Sequence, residues 1–324
     1  MATTALQAKP ATYVAPVGTV LGHVHLQVSD AGRSHEFFTD ALGFDTIAFY
    51  GSAAFVSAGG YHHHFGMNHW YSKNGDRPAP ESGGLDRAGI FYATQEELSQ
   101  AVRRPRDRGI TVREAIDHGA MVTVLIEDPD GSGLELYWDR PGGKHTAPNP
   151  LDLDALVTLT ADQPLSDGSI PATSHTGYID LAVIDLPGQV AFYRDVLGFT
   201  VLHQDDKQAY LSADGQHHLV GLRSVSNPDA PKIKPTEPGL YHLALLYPTR
   251  DDLGAVVRQL IDADAGFRMA EDHGVSNAVY FLDPENNGIE VYWDRPRSEW
   301  PRDENGDVDM SGGLLDLTEL TREQ

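Results

Sequence analysis

The chain of 324 residues carries 47 acidic and 24 basic side chains, which give it a formal net charge of −23. This charge would repel nucleic acid and anionic membrane surfaces, so we expect neither as a partner. Cysteine is absent, which excludes disulfides, thiolate zinc sites, iron–sulfur clusters and a cysteine nucleophile. Imidazole and carboxylate groups are left to hold any metal.

The start of the chain shows no targeting signal. Residues 1–18 lack the basic end and apolar core of a signal peptide, and no apolar run in the chain reaches the roughly 18 residues of a membrane span. We therefore expect a cytoplasmic protein. The same residues 1–18 are rich in Ala and Pro and are expected to form a disordered lead.

Hydrophobic periodicity then predicts one order of elements twice. Residues 20–29 alternate as a strand, and residues 31–42 have helical spacing up to Gly43. Three short strands are predicted next, near 45–50, 53–58 and 62–68. From about residue 86 the order repeats, with a strand, a helix from Gln95 to about Arg108, and strands near 111–116, 121–127 and 133–138. Each run is one βαβββ module.

A tandem duplication doubles this pair of modules. Residues 117–141 read DHGAMVTVLIEDPDGSGLELYWDRP and residues 272–296 read DHGVSNAVYFLDPENNGIEVYWDRP, at an offset of 155 positions. The same offset separates His63 from His218, far upstream of these stretches. The sequence therefore predicts an α+β fold of four βαβββ modules in two tandem repeats, paired into two cleft-forming barrels.

The duplication also sets the expected segment boundaries. In chain order they are a disordered lead (1–18), a first repeat (19–141), a linker (142–172), a second repeat (173–296) and a C-terminal tail (297–324). The linker and the tail each contain a short helical pattern, LDLDALVTL and LLDLTEL.

Glu290 is the first candidate for a functional residue. Strand alternation from Gly288 to Trp293 places Glu290 and Tyr292 on one face, opposite Ile289. A carboxylate on a half-buried strand needs a partner, because an unpaired buried charge is costly. From this pattern alone, an ion pair with Arg or contact with water remains as open as a metal.

Four βαβββ modules with a His opening one module and a Glu closing another resemble the vicinal-oxygen-chelate superfamily. This superfamily includes glyoxalase I, fosfomycin-resistance enzymes, bleomycin-binding proteins and extradiol dioxygenases. The chain most resembles the four-module extradiol enzymes of the catechol 2,3-dioxygenase and hydroquinone dioxygenase type. The resemblance is carried by His273, Tyr280, the Asp283-Pro284 pair and Glu290. Where that signature has Gly or Pro, this chain has Asn286.

The resemblance implies a set of site residues around a mononuclear Fe(II), with Mn(II) as an alternative. The implied metal ligands are His23, His242 and Glu290. The implied catalytic residues are His63, His273 and Tyr280. His25 and Tyr292 are candidates for substrate contact, with packing as the alternative for Tyr292. His25 shares a strand face with His23 and is therefore also an alternative ligand.

The resemblance also implies a reaction, namely insertion of O2 beside the vicinal diol, or hydroquinone, of a small aromatic substrate. Homo-oligomer formation is left open. Two other functions remain as alternatives: a metal-dependent glyoxalase-like isomerase or lyase, and a non-catalytic, bleomycin-resistance-type binding protein that holds no metal.

The distribution of donors predicts how the modules pair. Modules one and four together contain the full ligand set, whereas module two has Arg87 and module three has Tyr178 at the positions of the two His ligands. We therefore expect module one to pair with module four, and module two with module three. In the second pair, Arg87 is expected to bind Glu135 through two parallel hydrogen bonds of about 2.7–3.2 Å.

Overall fold

The computed structural model of the chain describes residues 13–79, 81–163, 169–227, 229–231, 233–304, 306 and 308–322. Most of the predicted lead, residues 1–12, lies outside this range. Its described end is packed, because Ala15 is buried and its N–H donates to the Gly198 carbonyl oxygen at 3.0 Å. The predicted disorder is therefore wrong for this end of the lead.

The first repeat contains two βαβββ modules. The first consists of β1 (Val20–Gln27), α1 (Ala31–Glu36) with a π-helical turn (Phe37–Ala41), β2 (Asp45–Phe49), β3 (Ala53–Ser57) and β4 (Phe65–Asn68). The second consists of β5 (Gly84–Phe91), α2 (Gln95–Asp107), β6 (Glu114–Asp117), β7 (Met121–Glu127) and β8 (Gly133–Asp139). The segment that follows contains β9 (Asn149–Pro150) and α3 (Leu153–Thr158).

The second repeat has the same order. Module three consists of β10 (His175–Val183), α4 (Leu186–Asp195), β11 (Thr200–Gln204), β12 (Gln208–Ser212) and β13 (Val220–Ser224). Module four consists of β14 (Gly239–Leu246), α5 (Arg250–Asp262), β15 (Met269–Asp272), β16 (Ser276–Leu282) and β17 (Gly288–Asp294). A 3-10 turn (Arg297–Glu299), β18 (Gly313–Leu314) and α6 (Leu317–Leu320) follow.

The duplication is visible in how the helix of each module begins. The Asp30 and Asp185 side chains accept backbone N–H groups at the starts of α1 and α4. Thr94 and Thr249 do the same for α2 and α5. Such caps satisfy N–H groups that have no partner inside the helix. Both repeats therefore fix the ends of their helices by the same local chemistry.

The strands of the described residues form two nine-stranded sheets. One has the order β18-β15-β16-β17-β14-β1-β4-β3-β2, and the other has the order β11-β12-β13-β10-β5-β8-β7-β6-β9. The first sheet joins modules one and four through antiparallel β1 and β14, and is called the outer-module sheet below. The second joins modules two and three through antiparallel β5 and β10, and is called the inner-module sheet. The predicted pairing of the modules is confirmed.

The two sheets contact each other where β1 and β10 begin. The Thr176 hydroxyl lies 3.0 Å from the carbonyl oxygens of both Leu21 and Gly22. One large apolar cluster runs through both repeats, and its members include Val24, Leu136, Leu181 and Leu245. Among the described residues, no helix is both long and apolar enough to cross a membrane.

Candidate metal centre

Three neighbouring strands of the outer-module sheet supply the central residues of the site. His23 lies on β1, His242 on β14 and Glu290 on β17, and β14 pairs with both of the other strands. The pairing of module one with module four therefore brings together side chains that are 267 positions apart in the sequence.

The donor atoms of these residues form a small triangle. Glu290 Oε2 lies 3.1 Å from His23 Nε2 and 3.1 Å from His242 Nε2, and the two imidazole nitrogens are 3.4 Å apart. Metal bonds of about 2.1 Å at right angles place neighbouring donors about 3 Å apart, which these spacings approach. In the described part of the chain, no other group of three or more His, Cys, Asp or Glu donors converges in this way. The cluster fits a divalent metal held on one face by two imidazoles and a carboxylate.

Burial and mutual contact shift the pKa values of these groups in directions that suit metal binding. His23, His242 and Glu290 are all buried. Burial lowers the pKa of His23, against the pull of the Glu290 carboxylate. Burial by itself would raise the pKa of Glu290, but the two neighbouring imidazoles hold it well below its usual range. A neutral imidazole beside an ionised carboxylate is the protonation state that a metal requires.

His25 lies next to the triangle but outside it. Its Nε2 lies 3.0 Å from the Asn68 amide nitrogen, and its ring centroid is 4.9 Å from that of His242. The rings of Phe55, Trp70 and Tyr241 surround it. This placement favours His23 as the ligand, while substrate contact by His25 stays a prediction.

His63 lies beside the triangle, on the side of His23. The centroids of these two rings are 4.1 Å apart, and the centroid of the Phe55 ring lies 5.1 Å from that of His63. Burial lowers the pKa of His63 well below its ordinary value. Its Nδ1 lies 2.8 Å from Nδ1 of His62. The structure thus places His63 close enough to the cluster for its predicted catalytic role.

His273 and Tyr280 form a pair on the side of His242. His273 Nε2 lies 2.9 Å from the Tyr280 hydroxyl, and the rings of Tyr280 and His242 are 5.4 Å apart. Burial, and then the Glu290 carboxylate, raise the pKa of Tyr280 well above its ordinary value. Tyr280 therefore keeps its proton at neutral pH.

Tyr292 has a different environment from the one expected of a substrate contact. It is fully buried, and its hydroxyl lies 2.7 Å from that of Tyr61. A side chain at Gly22 would collide with this hydroxyl, so Tyr292 packs tightly against β1. The structure gives Tyr292 a packing role, and substrate contact stays a prediction.

Sequence reasoning missed three residues that lie behind His63. Tyr61 and His62 both hydrogen-bond the Asp294 carboxylate, at 2.7 and 3.0 Å. One signal could have found the carboxylate, because Tyr-Trp-Asp stands near the end of both copies of the repeated stretch. Contact with His62 could not be read from this signal, since the two residues are 232 positions apart.

The inner-module sheet has no such cluster among its described residues. Arg87 Nη1 donates to Glu135 Oε1 at 3.0 Å, as predicted. The expected second, parallel hydrogen bond is wrong, because the Tyr178 hydroxyl donates to the other oxygen, Glu135 Oε2. The Arg87 guanidinium binds Asp86 and approaches Glu114 instead. A cation and a phenol together satisfy the buried carboxylate.

The sequence profile described as the Glyoxalase/Bleomycin resistance protein/Dioxygenase superfamily matches residues 20–136 and 175–291. These two matches coincide with the two repeats and together cover more than half of the chain.

Two named relatives and one solved structure are similar to the chain. A catechol-2,3-dioxygenase from Bacillus subtilis is 41% identical over 156 residues, which are 48% of this chain and 54% of that protein. A biphenyl-2,3-diol 1,2-dioxygenase from Rhodococcus globerulus is 32% identical over 122 residues, which are 38% of this chain and 64% of that protein. The chain thus spans about half to two thirds of the length of these relatives. A provisionally named dioxygenase from Bacillus subtilis superposes with a TM-score of 0.63 at 13% identity, over 88% of this chain and 87% of that structure, which shows the fold.

Proposed function

Because the chain belongs to the glyoxalase/bleomycin resistance protein/dioxygenase superfamily, we propose that it is an extradiol ring-cleaving dioxygenase. It would insert both atoms of O2 beside the vicinal diol, or hydroquinone, of a small aromatic substrate. His23, His242 and Glu290 would hold one Fe(II) ion, which would supply the redox link between the substrate and O2.

The observation that supports this proposal best is the set of groups at the edge of the donor triangle. His63 lies 4.1 Å from the His23 ring, and the His273–Tyr280 pair approaches His242. Ring opening beside a diol requires protons to be taken from the substrate and given to the product. Positioned imidazoles and a phenol are suited to this work near neutral pH.

Each of these groups has a distinct task in the proposal. The neutral His63 imidazole accepts or returns a proton on the His23 side of the site. Tyr280 keeps its proton and donates a hydrogen bond, and His273 orients its hydroxyl through the 2.9 Å contact. The rings around His25 exclude water and orient an aromatic substrate.

A glyoxalase-like isomerase or lyase is the main alternative. Such enzymes usually bind the metal through a second carboxylate, and among the described residues Glu290 is the single carboxylate of the cluster. They also have no use for the His63, His273 and Tyr280 group. A metal-free binding protein of the bleomycin type would not need a buried triangle of metal donors.

The deciding experiment is anaerobic purification with Fe(II), followed by metal analysis and a panel of catechols and hydroquinones. We expect one tightly held metal ion per chain and a yellow ring-cleavage product with at least one diol, formed with consumption of O2. A parallel assay uses methylglyoxal and glutathione with Zn(II) or Ni(II). Turnover in this assay without ring cleavage would replace the dioxygenase by an isomerase, and absence of bound metal would contradict both.

A further inference from the structure

A chain of hydrogen bonds leads from His63 to a carboxylate behind the candidate metal centre. His63 Nδ1 lies 2.8 Å from His62 Nδ1, and His62 Nε2 lies 3.0 Å from Asp294 Oδ1. The Tyr61 hydroxyl donates a hydrogen bond to the other carboxylate oxygen at 2.7 Å. These hydrogen bonds connect module one with the end of β17 in the outer-module sheet.

The chemistry of these groups fixes the direction of each hydrogen bond. An ionised carboxylate only accepts, so His62 must carry its proton on Nε2. If His62 is neutral it has one N–H, and its Nδ1 is then an acceptor. His63 must therefore donate from Nδ1, and its Nε2 keeps a free lone pair. The carboxylate thus determines which nitrogen of His63 is basic, two residues away along the chain of hydrogen bonds.

We propose that Asp294 and His62 are positioning residues that hold His63 as the Nδ1–H tautomer, with an unprotonated Nε2 available as proton acceptor. The use of that nitrogen in turnover rests on the function proposed above. The tautomer itself is argued from the hydrogen bonds of an ionised Asp294 and a neutral His62, and does not depend on the reaction.

The surroundings keep this chain of hydrogen bonds in place. The His62 side chain is only 2% exposed, and the rings of Tyr61 and Trp300 lie 4.1 and 5.7 Å from it. Because Tyr61 donates to Asp294, the Tyr292 hydroxyl must donate to Tyr61 across their 2.7 Å contact. Each polar atom in this set of hydrogen bonds is therefore either a donor or an acceptor.

The matched residues of the inner-module sheet do not form this chain. His217 occupies the position of His62, but its side chain is 74% exposed and binds Asp214 at 2.8 Å instead of Asp139. Gln216 and His145 stand at the positions of Tyr61 and Trp300. The hydrogen-bond chain thus accompanies the donor triangle and is absent from the described residues of the sheet without one. This supports a role in function over a role in the fold.

The tautomer can be read directly by nitrogen-15 NMR of the histidines. The full chain is loaded with Zn(II) as a diamagnetic probe, and the spectrum of His63→Asn identifies the His63 signals. We expect a protonated Nδ1 and an unprotonated Nε2 on His63. In Asp294→Ala both tautomers should be present, whereas the matched control Asp139→Ala should leave the His63 signals unchanged. A protonated Nε2 on His63 in the unmodified protein would overturn the proposal.

Kinetics supply the second readout. Asp294→Ala is expected to lower kcat by roughly 10- to 100-fold, which is at or below the lower end of the range of about 10²–10⁴-fold for acid–base groups, with KM and metal content unchanged. Asp139→Ala should have no effect. If Asp294→Ala does not fold, position 62 gives the same test. His62→Asn places a carbonyl oxygen near the site of Nδ1 and should retain most of the rate, whereas His62→Phe should not.

Equal rates for these two variants would sink the inference even if ring cleavage is observed. If no ring cleavage is observed at all, the proposed function fails, and the NMR measurement still decides the tautomer.

Discussion

The outer-module and inner-module sheets have matched strands and matched helix caps, and they differ in the side chains at one site. His23, His242 and Glu290 meet in the outer-module sheet, and Tyr178, Arg87 and Glu135 meet at the corresponding place in the other. The carboxylate is common to both. A buried carboxylate can thus be accommodated without imidazoles, provided that a cation and a hydroxyl bind its two oxygens.

The residues that surround the two sites also differ in charge. Where the outer-module sheet has His25 and Tyr241 beside the donors, the inner-module sheet has Asp180 and Asp86. Arg223 donates to Asp86 at 2.6 Å, and Asp86 also receives Arg87. The inner site is therefore a network of ion pairs, and the outer site is bordered by the aromatic rings of Phe55, Trp70 and Tyr241. The difference lies in chemistry carried by side chains, on a backbone that has kept its topology.

The largest expected effect comes from removing a donor on one side of the comparison only. His242→Ala should lose the bound metal and reduce ring cleavage to background, because Glu290 and one imidazole cannot hold the ion. The matched variant Arg87→Ala should keep both. Metal content by mass spectrometry of the purified chain checks the result, and full metal content in His242→Ala would remove His242 from the ligand set.

The next effect concerns the residues at the border of the triangle. His63→Ala, His273→Ala and Tyr280→Phe should retain the metal and lose turnover by about 10²–10⁴-fold, as expected for groups that handle protons. The matched controls His218→Ala and His118→Ala should turn over like the unmodified protein. Steady-state kinetics with the best diol of the panel measures kcat for each variant and its control. Wild-type rates in all three variants would be incompatible with the proposed reaction.

A gain of metal should be obtainable in the inner-module sheet. The double variant Arg87→His and Tyr178→His restores two imidazoles next to Glu135, and we expect it to bind a second ion with lower affinity than the first. The single variant Arg87→His serves as the control and should not bind one, since Tyr178 still occupies Glu135. Isothermal titration calorimetry with the metal measures the number of bound ions and their affinity in both variants. Equal stoichiometry in both variants would mean that the two backbones are less alike than their strand order indicates.

The smallest effect is on stability. Arg87→Ala leaves Glu135 with the Tyr178 hydroxyl, and the Arg87 side chain is already 23% exposed, so we expect a loss of about 1–3 kcal/mol in the free energy of unfolding. This is less than for a fully buried pair. Arg113→Ala breaks an exposed pair with Glu127 and should cost under about 1 kcal/mol. Urea unfolding monitored by circular dichroism compares them, and equal losses would show that the Arg87–Glu135 contact adds nothing.

Much of the fold could be predicted from the sequence because local sequence patterns that occur in both repeats determine it. The strand periods, the helix caps at Asp30 and Thr94, and the offset between the repeats indicated four modules. The pairing of modules followed from the location of Arg87 and Tyr178. Boundaries were less accurate, because strand β4 begins at Phe65 and the predicted helix over 31–42 changes to a π-helical turn at Phe37.

The candidate site could be predicted only as far as the family pattern reaches. The spacing of His23 and His25 could not decide between them, since both lie on one strand face, and the decision came from Asn68, which binds His25. The second oxygen of Glu135 was assigned to Arg87 because the phenol of Tyr178 was treated as a lost ligand and not as a donor. Contacts of this kind depend on rotamers and on strands far apart in the sequence, and no local pattern encodes them.

The order of the modules along the chain has a consequence for biosynthesis. Modules two and three are consecutive, so the inner-module sheet can form as soon as both have left the ribosome. Module one is made first, yet β1 obtains its partner β14 only after more than two hundred further residues, and His23 meets Glu290 across 267 positions. Domains tend to fold in order of synthesis, and distant pairing is slow. The nascent chain therefore holds a histidine-bearing strand with an unpaired edge until module four emerges, and the His23, His242 and Glu290 donors can come together only after that point.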